Sequence, residues 1–196
     1  MKNHYVNNTN ILPSNYKYLE SVDLKNNQRV NNMIQIVFLA IALLMVGFAI
    51  IFKLPIKNDL GTVIKIIITV LSCVVYMILH ELTHGVFIRL FSHKRANYFF
   101  RFPYLATGSS SYFNKKSFII ITLSPVIIWG IILGLLLVLL PQYLFLTIYV
   151  VIGINFAGAS GDYFQVYRFA NLDKTALIQD DGKETKIFVL ESPIND

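Results

Sequence analysis

The chain has 196 residues, of which 55% are hydrophobic and 14% are charged, and its mean hydropathy is +0.58. A charged share of about half the usual value excludes an ordinary soluble domain and indicates an integral membrane protein. The net charge of +6 does not indicate nucleic-acid binding, because the basic residues flank apolar segments instead of forming a patch, and the single cysteine, Cys73, excludes an intrachain disulfide framework.

Apolar segments divide the chain. Residues 1–32 are polar and rich in asparagine, without the apolar region of a signal peptide, and we expect a cytoplasmic segment with a short helix around residues 16–24. Four apolar segments follow, at about 33–52, 63–91, 118–140 and 143–169. The sequence therefore predicts an all-α integral membrane protein with about four transmembrane helices, a membrane domain over residues 33–170 and a cytoplasmic tail over residues 171–196.

Two polar segments carry patterns typical of strands. Residues 98–105 are aromatic and are followed by a Gly-Ser turn signal, which predicts an aromatic β-hairpin or re-entrant loop. This loop could bind an extended peptide by strand addition, or it could anchor at the interface as an aromatic belt. In the tail, residues 175–179 and 185–190 flank an Asp-Asp-Gly-Lys turn and predict a short C-terminal β-hairpin.

The second apolar segment contains the sequence His80-Glu81-Leu82-Thr83-His84. Two histidines four residues apart on a helix project from one face, so that both imidazoles can bind one metal ion. Three protein ligands and a water complete the tetrahedral geometry of a catalytic zinc, and Glu81 is placed to act as general base toward that water. The alternative is a pair of helix-surface histidines, which the apolar surroundings disfavour because polar side chains in a membrane need partners.

The distribution of Lys and Arg predicts the orientation. Most of these residues lie before the first segment, in the loop at 92–117 and in the tail, whereas the opposite side has Lys53, Lys57 and Lys65. Both termini are therefore predicted to be cytoplasmic.

With that orientation the second and fourth helices both run inward, and Asp162 falls at a depth similar to that of the two histidines. An intramembrane carboxylate needs a partner, so Asp162 is the predicted third metal ligand. It could instead pair with Arg168, and His93 is the rival ligand. Asn155 lies two turns before Asp162 on the same face and is a candidate for binding the substrate carbonyl or the oxyanion. Its alternative role is an interhelical amide hydrogen bond.

These residues resemble a family of small bacterial multi-pass membrane proteins described as zincin peptidases. The resemblance rests on the motif at residues 80–84, on Ser124-Pro125 and on Gly161-Asp162, and it covers roughly residues 71–190. More distantly the chain is similar to the site-2 protease group, which implies His80, His84 and Asp162 as zinc ligands and Glu81 as catalytic base. In that group the late Asp is followed by Gly, whereas here Gly161 precedes Asp162 and Tyr163 follows it.

The sequence thus predicts a zinc metalloprotease that is embedded in the lipid bilayer and hydrolyses peptide bonds of a membrane-spanning or membrane-adjacent substrate, without a nucleic-acid partner. One alternative is a non-catalytic regulatory or immunity protein that retains a structural metal site. The other is a metal transporter, which the scarcity of polar residues in the first and third segments disfavours.

Overall fold

The computed structural model describes residues 6–24, 26–55, 61–101 and 104–191. Five helices make up most of this part of the chain, namely α1 (Gln28–Ile51), α2 (Thr62–Ser92), α3 (Lys115–Leu139), α4 (Phe145–Gly158) and α5 (Ser160–Ala170). The strands are β1 (Tyr16–Val22), β2 (Asn97–Arg101), β3 (Tyr104–Gly108), β4 (Phe113–Asn114), β5 (Leu177–Asp180) and β6 (Thr185–Leu190). A 3₁₀ turn, Gln142–Leu144, connects α3 to α4.

The four predicted apolar helices are present. α1, α2, α3 and the continuous stretch Gln142–Ala170 are each long and apolar enough to cross a membrane. In the last of these the single predicted helix is interrupted at Ala159, which separates α4 from α5. The break places Asp162 in the first turn of α5, where the helix dipole favours a carboxylate.

Two small antiparallel sheets lie beside the helices. β2 and β3 form a two-stranded hairpin with Asn97 opposite Gly108, and this hairpin is the aromatic one that the sequence predicts. The predicted C-terminal hairpin is also present, as β5 and β6. It belongs to a larger sheet with the strand order β1-β6-β5-β4.

The prediction of a short helix around residues 16–24 is wrong. The segment forms β1, which pairs antiparallel with β6 from Tyr16 opposite Leu190 to Val22 opposite Thr185. The backbone groups of this segment are satisfied by a strand about 170 positions later in the chain, which no local pattern could reveal. The described residues before β1 also contact the helices, since the side chain of Asn8 donates hydrogen bonds to the Phe91 carbonyl and to Ser117 Oγ.

The core consists of two apolar clusters joined by α2. One cluster packs the sheet against the helix ends and contains Ile88, Phe118, Ile121, Phe169, Ile178 and Ile187. The other lies among α2, α3 and α4 and contains Tyr76, Leu133, Ile148, Val151 and Ile152. Because α2 contributes Tyr76 to one cluster and Ile88 to the other, the histidines at 80 and 84 lie between two packed regions.

Candidate metal centre

His80, His84 and Asp162 converge on one point between α2 and α5. One ligand atom from each of the three lies within 4.8 Å of the other two. The Nε2 atom of His80 is 3.3 Å from Asp162 Oδ2, and the Nε2 atom of His84 is 3.7 Å from Asp162 Oδ1. Zinc bonds of about 2.0–2.2 Å in a tetrahedron place ligand atoms about 3.3–3.6 Å apart. The spacing and the chemistry of the three donors therefore fit a zinc ion with one open position.

The ring of His84 is oriented by a carbonyl that a proline leaves free. Pro125 has no N–H, so the carbonyl of Ile121, four residues earlier in α3, lacks its ordinary helical donor. This oxygen instead accepts from Nδ1 of His84 at 2.9 Å and from the Ser124 hydroxyl at 2.9 Å. With the proton on Nδ1, the lone pair of His84 lies on Nε2, which is the atom that points toward Asp162.

A hydrogen-bond chain orients His80 in the same way. Tyr76, one turn earlier on α2, donates its hydroxyl proton to Asn155 Oδ1 at 2.8 Å. Its oxygen is therefore left to accept from Nδ1 of His80 at 2.9 Å. Asn155 is completely buried and donates from Nδ2 to the Val126 carbonyl at 3.1 Å. The Nε2 lone pair of His80 is thereby directed at the metal position, by partners on α2, α3 and α4.

The carboxylate of Glu81 is held by the aromatic hairpin. Thr107, on β3, donates its hydroxyl to Glu81 Oε2 at 2.7 Å and lies 3.1 Å from the backbone carbonyl of the same residue. The hairpin itself packs closely on α2, because a Cβ atom at Gly85 would lie 1.9 Å from Tyr98 Oη. Glu81 is thus fixed beside the two histidines by a residue 26 positions away.

A cavity of about 210 Å³ opens from the ligand group toward the sheet. Its lining includes Glu81, His84 and Asp162, and also Gln165, Asp180 and Thr185. The β5–β6 turn closes one wall by direct backbone contact with the end of β3. A Cβ atom at Gly108 would meet the backbone of Asp181 and Gly182 at 2.3 Å, and Ser109 N donates to the Asp180 carbonyl at 2.6 Å.

A sequence-family model described as "putative zincin peptidase" matches residues 73–177, which is more than half of the chain. This stretch begins on α2 before His80, contains Pro125, and ends in β5 after Asp162. The chain belongs to this zincin family. No curated protein and no solved structure matches it significantly. The expected resemblance to this family is therefore confirmed, and the family implies zinc as the metal.

The predicted ligands of this zincin-family protein come together, and their predicted rivals lie elsewhere. Arg168 pairs with Glu20 at 2.5 Å, and His93 is an exposed residue in the left-handed conformation at the end of α2. Asn155 makes the interhelical hydrogen bonds that were its alternative role. Its predicted contact with a substrate stays a prediction, as does the likeness to the site-2 protease group.

Four residues of this zincin-family site were not found by sequence reasoning, namely Tyr76, Thr107, Gln165 and Asp180. Tyr76 precedes His80 by four residues, so its place on the same helix face was available from the spacing alone. Gln165 follows Asp162 by three residues and was available in the same way. Thr107 and Asp180 reach the site through the two hairpins, and no local spacing relates them to the motif.

Proposed function

We propose that this protein is a membrane-embedded zinc metalloprotease that hydrolyses a peptide bond of a membrane-spanning or membrane-adjacent substrate. The observation that carries the proposal is the pair of Nε2 atoms and the Asp162 carboxylate at ligand spacing, with both Nδ1 atoms already engaged by other partners. The family match supports the peptidase class. A carboxylate that is not a ligand, Glu81, stands beside the group and supplies the general base that hydrolysis requires.

Each residue of the site has a separate role in the proposed hydrolysis. His80, His84 and Asp162 would hold the zinc, which when bound supplies a Lewis acid that polarises the scissile carbonyl and acidifies a water. Glu81 accepts the proton of that water and then gives it to the leaving amine. Thr107 restrains Glu81 to the side of the cavity, since its hydroxyl occupies Oε2 and leaves Oε1 for the proton. Glu81, His84 and Asp162 line the cavity, so a substrate in the cavity would lie beside the ligand group.

The hairpin offers a way to hold an extended peptide. The β2–β3 sheet has two strands, so each strand has one edge that the sheet itself does not pair. β3 carries Thr107 against Glu81 and lies alongside α2. The contact between β3 and the base, together with its unpaired edge in the sheet, supports strand addition of a substrate as the binding mode.

The membrane setting rests on composition. Four helices are long and apolar enough to span a bilayer, and their outward faces are exposed apolar side chains. The Lys and Arg distribution supports a cytoplasmic position for both termini, the aromatic hairpin and the sheet. The substrate would then reach the ligand group at the inner side of the bilayer.

The test is a set of purified variants with metal analysis and a peptidase assay. Glu81→Gln is expected to retain one zinc per chain and to lose hydrolysis by about 10²–10⁴-fold, because only the base is removed. His80→Ala and Asp162→Ala are expected to lose both zinc and activity. Glu20→Gln is the matched control, since it makes the same chemical change at an exposed ion pair. Full hydrolysis by zinc-free His80→Ala would refute the proposal.

A wild-type protein that binds zinc but shares its phenotype with Glu81→Gln would instead favour the regulatory or immunity protein with a structural metal.

A further inference from the structure

The cavity beside the ligand group has both apolar and polar lining. Ile88, Phe113 and Phe118 of the lining belong to the cluster that packs the sheet against the helix ends, and Leu24 packs against that cluster. The polar part of the lining contains Gln165, Asp180 and Thr185. A ligand that fills such a cavity needs an apolar stem and a polar head.

The polar part of the lining is close enough to the metal position for one side chain to span the distance. Gln165 follows Asp162 by three residues on α5, which is one turn and about 4.5 Å along the axis. Its Nε2 atom lies 3.2 Å from Asp180 Oδ2. Asp180 is therefore separated from the ligand group by about one helical turn and the side chain of Gln165, and a long side chain such as that of lysine is the kind that could span this separation.

The carboxylate of Asp180 is held in place by neutral donors. Its Oδ1 accepts from Gly182 N at 2.8 Å, and its Oδ2 accepts from the Thr185 hydroxyl at 2.9 Å and from Gln165. Burial raises the pKa of Asp180, against the lowering effect of these three hydrogen bonds. Lys183 also lines the cavity, but it is exposed, and no ion pair among the described residues joins it to Asp180. A buried carboxylate without a cationic partner is costly, and a cationic head group in the cavity would remove part of that cost.

The other carboxylates of the lining already have partners. Asp162 faces the two histidines, and Glu81 is hydrogen-bonded to Thr107. Glu184 lies 3.0 Å from Lys186 Nζ. Glu81 also has a neutral partner, but it lies beside the ligand group and is taken as the base. Outside the ligand group, Asp180 is therefore the lining carboxylate whose described hydrogen-bond partners are all uncharged, and it is the one that a substrate cation would meet.

We propose that this cavity is a specificity pocket for a long basic side chain next to the scissile bond, with Asp180 as its counter-charge and Gln165 and Thr185 as the residues that position Asp180. The inference rests on the proposed function, because it takes the ligand group as the place where the scissile bond lies. It assigns the substrate class as a peptide with lysine or arginine beside the cleaved bond.

The test measures binding of hydroxamates, which chelate zinc, to the zinc-loaded full chain in detergent by calorimetry. The probes are a hydroxamate with a lysine side chain and its partner with norleucine, which has the same stem without the ammonium. Each is made in two orientations, with the side chain before or after the chelating group, so that both sides of the scissile bond are sampled. We expect the lysine probe to bind at least about 10-fold more tightly than the norleucine probe in one orientation.

The variants isolate the pocket carboxylate. Asp180→Asn is expected to reduce the preference for lysine to less than about 3-fold while norleucine binds as before, because the ion pair is lost and the stem is unaffected. Asp181→Asn is the matched control: it makes the same charge change one residue later, in a turn carboxylate that lies 3.5 Å from Lys186 Nζ. This control is expected to keep the wild-type preference.

The possible failures are distinguishable. Equal binding of lysine and norleucine probes to the wild type would overturn the pocket and leave the metalloprotease proposal in place, and this comparison does not depend on the folding of any variant. A preference for lysine that survives in Asp180→Asn would overturn the role of Asp180. Binding of neither probe to zinc-loaded protein would remove the proposed function and the pocket with it.

Discussion

Replacing Pro125 by Ala tests whether a freed helix carbonyl controls the metal ligand. In the wild type the Ile121 carbonyl accepts from His84 and Ser124. The variant adds an N–H at residue 125, which is the ordinary helical donor to that carbonyl. Three donors then compete for an oxygen with two lone pairs, and His84 loses its fixed orientation.

The magnitude follows from the contact that is weakened. Loss of a hydrogen bond that orients a metal-binding histidine typically lowers metal affinity 10–100-fold, which is about 1.4–2.7 kcal/mol. Stability should change less. Pro125 is fully buried, so the lost ring methylenes cost up to about 1.6 kcal/mol, whereas removing a proline from a helix interior can return up to about 3 kcal/mol. We therefore expect weakened zinc binding in a protein that is folded and at least nearly as stable as the wild type.

The assay is competition for zinc between the purified chain and a chromophoric chelator, with thermal unfolding followed in parallel. Pro141→Ala is the matched control, because Pro141 precedes the 3₁₀ turn and is outside the site. It should leave zinc affinity unchanged. Wild-type zinc affinity in Pro125→Ala, together with loss of zinc in His84→Ala, would refute the orienting role of the carbonyl.

Three further predictions concern neighbouring residues. Tyr76→Phe removes the acceptor of the His80 Nδ1 proton, so zinc affinity should fall about 10–100-fold in the chelator titration; unchanged affinity would show that this hydrogen bond has no orienting role. Thr107→Val removes the hydrogen bond to Glu81 Oε2 at nearly constant volume, so hydrolysis should fall about 10–100-fold with zinc content intact, and zinc loss would contradict this division of roles. Because the folded-state pKa of Asp180 is raised, the folded chain binds more protons than the unfolded chain above about pH 3.9. The contribution of Asp180 to stability therefore falls as pH rises through its folded-state pKa. Asp180→Asn should remove this component from melting temperatures measured across pH, and identical profiles for variant and wild type would refute it.

The parts of the site that follow from local periodicity could be predicted from the sequence. The four-residue spacing of His80 and His84 fixes their common face, and the predicted membrane orientation led to Asp162 at a similar depth. Thr107 and Asp180 could not be predicted, because each reaches the cavity through a hairpin whose docking depends on contacts far apart in the chain. The same reason explains why residues 16–22 were expected to be helical: their strand partner, β6, is almost at the other end of the described chain.

The strand order β1-β6-β5-β4 sets the time at which the cavity is complete. β6 comes last in chain order among the described strands, yet it lies between β1 and β5 and begins at Thr185, which lines the cavity. Because all five helices precede β6 in the chain, a protein under synthesis contains both histidines and Asp162 before it contains the strand that closes this wall. The enclosure around the ligand group can therefore form only after residues 185–190 have been added.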